Sequence, residues 1–521
     1  TSNNDQFAIK TKGTETYNYD VDWGDSSTDT SQTGDITHTY AADGEYIIKI
    51  TGTFPGMYFN YGGDKLKLLE IQNWGDHAYT FLIFAFYGCA NMDITATDEA
   101  DFSNVDQCDR AFQGCTSLTT TGLSANWITS NCLDLFSMFY QCSNLTTIDA
   151  SNWDTSNCTD MRYVFSKCHS LPSVDVSSWN TGNVTNMHKC FHECRSLTSI
   201  PVDNWDVSKV TVFQEMFEQC WVLTTIPVDN WDVGKGAGLL EMFRDCLSLV
   251  TLDLENWDMS SASQMQSMFY NDDELTTIGD VSDWACVPAG ATGLRYMFYN
   301  CDKLVVDVSN WDTSGATDLS ETFGGLIGTG SITGYQDWDV SSVSVFQRTF
   351  RYSSISNVAT FPSTWDMRGA TYMLEMFKDT SLMDTGSIDC SNMQWDSSLY
   401  NMQSWCRGNP GLTDITFGSN NDFSGVTTMA NMFYDCPSLI NVTWDAGLDL
   451  SALTIATNMF TSAASKMSAA NYDIFLIALD AGSGAAGTLD TEASQYNAGA
   501  GATAHASLLV KGWTINDGGQ V

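Results

Sequence analysis

Leu171-Pro-Ser-Val174-Asp-Val176-Ser-Ser-Trp179, followed by Thr185, Met187 and Phe191-His-Glu-Cys194, is one copy of a motif that recurs along the chain. An aromatic residue with a cysteine three places later returns about every 26 residues: Phe86/Cys89, Phe112/Cys115, Phe139/Cys142, Phe165/Cys168, Phe191/Cys194, Phe217/Cys220 and Phe243/Cys246. The phenylalanine continues at Phe269, Phe298, Phe323, Phe350, Phe377, Phe433 and Phe460, with cysteine kept at Cys301 and Cys436. A fixed period of this length describes a solenoid, in which each unit buries its apolar face only against its neighbours. Such a body offers an extended surface rather than a catalytic cleft.

Within each unit the apolar spacing changes character. Leu145-x-x-Ile148-x-Ala150-x-x-Trp153 and Leu197-x-x-Ile200-x-Val202-x-x-Trp205 alternate as a short strand with one buried face. Pro201 and Pro227 fall inside such strands and cannot donate to a ladder, so either the pairing is interrupted there or the strands are too short for every amide to matter. A polar turn follows each tryptophan. Thr159, Thr185 and Thr211 then stand where a hydroxyl can cap a short helix. Met161 and Phe165, or Met187 and Phe191, are four apart on that expected helix and face the core. The cysteine closes the unit. Because it holds a single slot per unit, it reads as a small buried hydrophobe that another apolar residue would replace.

Asn204-Trp-Asp-Val-Ser208 and Met216-Phe-Glu-Gln-Cys220 make these units resemble the BspA-like subclass of leucine-rich repeats, the DUF285 repeats of mycoplasma and other bacterial surface proteins. The resemblance spans residues 66 to 462 and implies an α+β solenoid of about fifteen leucine-rich-repeat-like coils. At the N-terminus Val21-Asp-Trp-Gly-Asp25, His38-Thr-Tyr40 and Gly44-Glu-Tyr46 resemble a PKD domain, which implies an immunoglobulin-like β-sandwich. Residues 463–521 leave the repeat. Met467 to Leu479 and Ala502 to Val510 read as helices and Trp513-Thr-Ile515 as a strand, together a C-terminal cap over the last coil. The expected domains are 1–60, 61–462 and 463–521.

Charge limits the partners. The 521 residues carry 63 acidic and 22 basic side chains, a net charge of −41. That excludes a nucleic-acid surface, which must be basic, and favours cations, basic partners or a saline medium. No run of 18 apolar residues exists to span a membrane. The chain starts at Thr1 without a signal-like apolar segment, as a processed chain or a fragment would.

The strand face carries the candidate site. Asp149, Asp175, Asp253 and Asp307 occupy its fifth position, and Asp203, Asp229 and Glu255 its seventh. Stacked coils would align these as a negative stripe for a basic partner or calcium. No other cofactor is expected. His188-Lys-Cys190-Phe-His192-Glu-Cys194 has two histidines a helical turn apart, as zinc ligands can be. Alignment places the cysteines in core slots and the histidines in slots that look exposed, so no metal site is expected there. The Asp22-to-Asp25 turn is a second place for calcium, although a structural turn explains it. The six histidines are scattered, and no nucleophile elbow or phosphate loop occurs, so no catalysis is expected.

The function expected is that of a non-catalytic, adhesin-like binding protein, extracellular or on a cell surface, recognising protein or glycan through many weak contacts. The alternative is a structural, decoration or receptor-binding protein of a bacteriophage virion or another extracellular assembly. Its partners would then be neighbouring subunits.

Overall fold

The computed structural model describes residues 5–120, 131–235, 238–262, 264–282, 284, 293–353, 365–380, 386–460, 467–482 and 486–521. The expected boundary at 462/463 lies outside them. The chain divides into two compact units, residues 1–257 and 258–521.

In the first unit the N-terminal segment forms five strands: β1 (Gln6–Ile9), β2 (Asn18–Asp22), β3 (Thr28–Gln32), β4 (Ile36–Thr39) and β5 (Lys49–Thr53). They pair antiparallel as a two-stranded sheet β1–β4 and a three-stranded sheet β3–β2–β5. Trp23 is fully buried and stacks on His38 at 4.8 Å. The Asp22-to-Asp25 turn closes on itself, because Asp22 accepts from the Gly24 amide and Asp25 accepts from Ser27 and His38.

From β6 (Glu70–Ile71) and β7 (Asp93–Ile94) onward the chain coils in parallel. Bridges link Asp134, Asp160, Asn186, Val212 and Gly238 in steps of one repeat. On the strand side Ser173 bridges Ser199 and Thr225 bridges Thr251. The ladder there is reduced to single bridges, and so it is between Thr120 and Thr147, where no proline falls in either strand, so the strands are short whether or not a proline is present. The interior is a set of columns. Phenylalanine rings stack from Phe86 to Phe112 at 5.3 Å and from Phe217 to Phe243 at 5.9 Å. Trp153, Trp179, Trp205 and Trp231 stack beside them at 5.9–6.3 Å. Each indole from Trp179 to Trp257 donates to a backbone carbonyl of the preceding coil, as Trp205 does to Val176 at 3.1 Å.

Among the described residues the helix expected in each coil is absent; residues 160–168 form a chain of tight turns. Tyr163 and Lys167 are left-handed, at φ 60° and 62°. Alternate amides reach the next coil instead of turning back: Met161 to Asn186, Tyr163 to His188, Phe165 to Cys190 and Lys167 to His192, all at 2.8–3.1 Å. Thr159, Thr185 and Thr211 cap nothing; their amides and hydroxyls donate to the coil before. A helix is about 10 Å wide and would hold neighbouring coils that far apart. Turns allow strand-like spacing and therefore ring stacking. The repeats are thus built of turns and short β pairings, which corrects the α+β reading of this region.

The cysteine slot is also more specific than a hydrophobic position. The thiols of Cys142, Cys168, Cys194, Cys220 and Cys246 donate at 3.2–3.3 Å to the phenylalanine carbonyl of the preceding coil. In the second unit Ser353 takes the slot and donates to Phe323 O, and Asn409 donates to Phe377 O. Most coils place a buried donor there, with Asp272, a carboxylate, and Leu326, an apolar side chain, as exceptions. Cys108 and Cys132 form the single disulfide among the described residues.

The second unit repeats this plan through β8 (Val305–Asp307), β9 (Ser331–Thr333), β10 (Ser387–Asp389), β11 (Asp414–Thr416) and β12 (Asn441–Thr443). Its last strands, β13 (Ile455–Ala456), β14 (Thr488–Asp490) and β15 (Thr514–Asn516), remain parallel and adjacent. Among the described residues only here do α-helices supply the return, α1 (Ala469–Gly482) and α2 (Ala500–Val510), packed on each other. The tail therefore departs from the repeat sequence but keeps the coil topology.

Candidate functional site

Aspartate builds the corners of the coil. A carboxylate two residues before a backbone amide can accept from it and close a turn. At the strand end Asp149 Oδ1 accepts from the Ser151 amide and hydroxyl at 3.1 and 2.6 Å, and Asp175 does the same with Ser177. After the tryptophan Asp154, Asp206 and Asp312 accept from Ser156, Ser208 and Ser314. At the start of the turn chain Asp160 accepts from the Arg162 amide, with Asn186 in the same role one coil on. The serine hydroxyl and then the amide hold the carboxyls of Asp154, Asp175 and Asp206 below their ordinary value.

The seven acidic residues of the strand face are exposed, with Asp229 half-buried. They do not form one stripe. Asp149 and Asp175 share a column, but Pro201 and Pro227 take the next two positions of it. The acid shifts two residues along, to Asp203, Asp229 and Glu255. Asp253 returns to the first column and accepts from the Glu255 amide at 3.2 Å. Asp307 lies in the second unit, where it accepts from the Ser309 amide at 3.0 Å.

A second cluster lies on the turn side of the first unit. The 26-residue step sets Ser166, His192, Glu218 and Arg244 in one column. His192 is 6% exposed, not at the surface as the alignment suggests. Its Nδ1 lies 3.1 Å from Ser166 Oγ and its Nε2 3.2 Å from Glu218 Oε2. Glu215, from the neighbouring column, lies beside them and is paired to Lys189 at 2.5 Å. Burial, then the facing Glu215, pushes the Glu218 carboxyl up. His188 turns elsewhere, between Tyr163 Oη and the Gln214 carbonyl at 3.0 and 3.1 Å. Cys190 and Cys194 are fully buried in the core. Of the histidines and cysteines of the His188-to-Cys194 motif only His192 enters the cluster, flanked by Lys189 on Glu215 and by Glu193 Oε1 at 3.6 Å from its Nε2. Glu215 and Glu218 carry no motif; the signal for them is alignment at the repeat period.

These features define a repeat protein whose coils consume their aromatic and thiol groups internally and present carboxylates outward. The chain belongs to the family described as "Mycoplasma protein of unknown function, DUF285", whose model matches residues 80–199, 172–284, 292–417 and 363–472. Among solved structures it is similar to a leucine-rich repeat protein from Bacteroides ovatus, at 18% identity over 65% of this chain and 82% of that one, with a TM-score of 0.28. It is also similar to a chain of a TLR13–ssRNA13 complex, at 11% identity over 82% of this chain and 66% of that one, with a TM-score of 0.19. No curated protein matches the sequence. No helix among the described residues is long and apolar enough to cross a membrane.

Proposed function

We propose that the chain is a non-catalytic, adhesin-like binding protein displayed outside the cell, and that it recognises a basic protein surface through the acidic strand face. The observation that supports this most is the division of labour within a coil. The repeat tryptophans, phenylalanines and cysteines are buried, with indoles such as Trp205 and thiols such as Cys168 hydrogen-bonded to the coil before, whereas Asp149, Asp175, Asp203, Asp253 and Glu255 are left exposed in repeating positions. Affinity then comes from many weak contacts repeated along the coils. A basic protein fits better than calcium, because Asp149, Asp175 and Asp253 each commit one oxygen to a turn amide and an eight- or six-oxygen shell would need the rest. In this reading the five N-terminal strands act as a PKD-type module, and α1 and α2 cover the last coil.

The test is retention of labelled chain on target cells at physiological salt. Replacing Asp203, Asp229 and Glu255 together by Asn, Asn and Gln should lower retention by roughly tenfold, with on-rate carrying much of the loss. Equal retention of the triple variant would remove the acidic face from the reading.

A further inference from the structure

We infer that His192, Glu215 and Glu218 form a binding site for one divalent transition ion of the zinc class.

The ligand atoms of the three side chains all lie within 4.8 Å of one another. One imidazole with two carboxylates is a donor set that suits zinc, manganese or iron rather than calcium. The imidazole is already oriented. Its Nδ1 is tied to Ser166 Oγ at 3.1 Å, which leaves Nε2 directed at the carboxylates, the second contact that metal-bound histidines characteristically have. An independent observation points to a missing partner. Glu218 is 6% exposed, yet no hydrogen-bond donor is directed at its Oε2, although His192 Nε2 lies 3.2 Å away. A buried carboxylate oxygen without a donor is costly. In the tautomer whose Nδ1–H donates to Ser166, the Nε2 lone pair also faces that oxygen, and a cation held by both atoms would satisfy them; in the other tautomer Nε2–H faces it instead.

Lys189 neutralises Glu215 through Oε2 at 2.5 Å, and Gln214 donates to Oε1 at 2.9 Å, so an ion would share these oxygens with them. These contacts orient Glu215 as Ser166 orients His192. The ion would lie on the turn side of the coils, outside the core that holds Cys190 and Cys194.

The experiment uses the whole chain, stripped with a chelator and then titrated with zinc alone and with cobalt alone. A single equivalent of zinc should bind, and Glu218→Gln and His192→Gln should each weaken it by roughly tenfold or more. Glu241→Gln, one coil away, should leave it unchanged. Circular dichroism and the unfolding midpoint of the unliganded variants show whether each is folded. If Glu218→Gln does not fold, Ser166→Ala, which only frees the imidazole, is the second variant and should weaken binding as well. The cobalt form should show visible bands of a nitrogen- and oxygen-ligated ion. A thiolate-to-cobalt charge-transfer band, unchanged affinity in the folded variants, or no binding by the unaltered chain would each overturn the site.

Discussion

At the scale of single residues the fold is held by small polar groups repeated many times. The thiol of Cys168 illustrates this: it fills a core slot and donates to Phe139 O at 3.3 Å. Burial pushes such thiols far up, to about 12 for Cys89 and Cys158. They should therefore resist alkylation at pH 8 in the folded chain and react only as denaturant unfolds it, which a thiol count against urea would follow. Cys168→Ala should cost about 1–2 kcal/mol, from one lost hydrogen bond and a small void. Cys168→Ser should cost less, since serine keeps the donor, as Ser353 does. Equal losses would mean that the slot is only hydrophobic. The corner aspartates act through charge as well. Asp206 is held below its ordinary value by the Ser208 hydroxyl and amide. Its contribution is therefore fully present above about pH 4, the unfolded value, and is lost as pH falls through the lower folded value. Asp206→Ala should destabilise by about 1 kcal/mol at pH 7, and the gap to the unaltered chain should close in acid. A gap independent of pH would show that the charge plays no part.

At the scale of elements the informative failure is the missing helix. Cys158, Met161, Phe165 and Cys168 repeat at three and four residues, which is how a helix buries one face. A chain of four-residue turns gives the same spacing, so apolar periodicity alone cannot separate the two. The discriminating signal lies in the polar slot before the cysteine. In most coils it holds a residue that tolerates a left-handed backbone, Gly88, Gly114, Asp245, Asn271, Asn300, Gly325, Asp379, Gly408 or Asp435, while Lys167, Glu193, Gln219 and Tyr352 are left-handed there without that tolerance. Gln141 occupies the same slot, exposed, at φ 64°. Gln141→Gly should raise stability by roughly 0.5–1 kcal/mol, because a left-handed residue with a Cβ is strained. In a helix the same change would lower stability by about 1 kcal/mol. The sign of the shift in the urea midpoint therefore tests the element directly. The repeat period and the buried columns were legible because they follow from hydrophobic spacing. The polar cluster was half legible. Alignment at 26 residues brings Ser166, His192 and Glu218 together, but burial of His192 depends on side chains from several coils converging, which a single repeat does not display. The strand-face acids were legible as residues, but their role in closing turns was not, since that depends on an amide two positions on.

At the scale of the whole molecule the net charge of −41 is the dominant unbalanced term. Its origin is partly structural, because each coil draws on aspartates for its corners, and a 26-residue step repeats that choice along the chain. Like charges in adjacent coils repel across a few ångströms, and the repulsion is screened by salt over about 10 Å at 0.1 M. Stability should thus rise with ionic strength. Two modes of cation action are separable. Screening depends on ionic strength alone, whereas chelation needs oxygens free to converge on one ion. Asp149, Asp175 and Asp253 already give an oxygen each to a turn amide. Pro201 and Pro227 also offset their column from that of Asp203 and Asp229. Sodium chloride and calcium chloride at matched ionic strength should consequently raise the thermal midpoint alike, most steeply below 0.1 M. A midpoint insensitive to salt would mean that the charges are already neutralised within the fold. Extra stabilisation by calcium would show that the acids converge on an ion, and would move the strand face from partner recognition to metal binding.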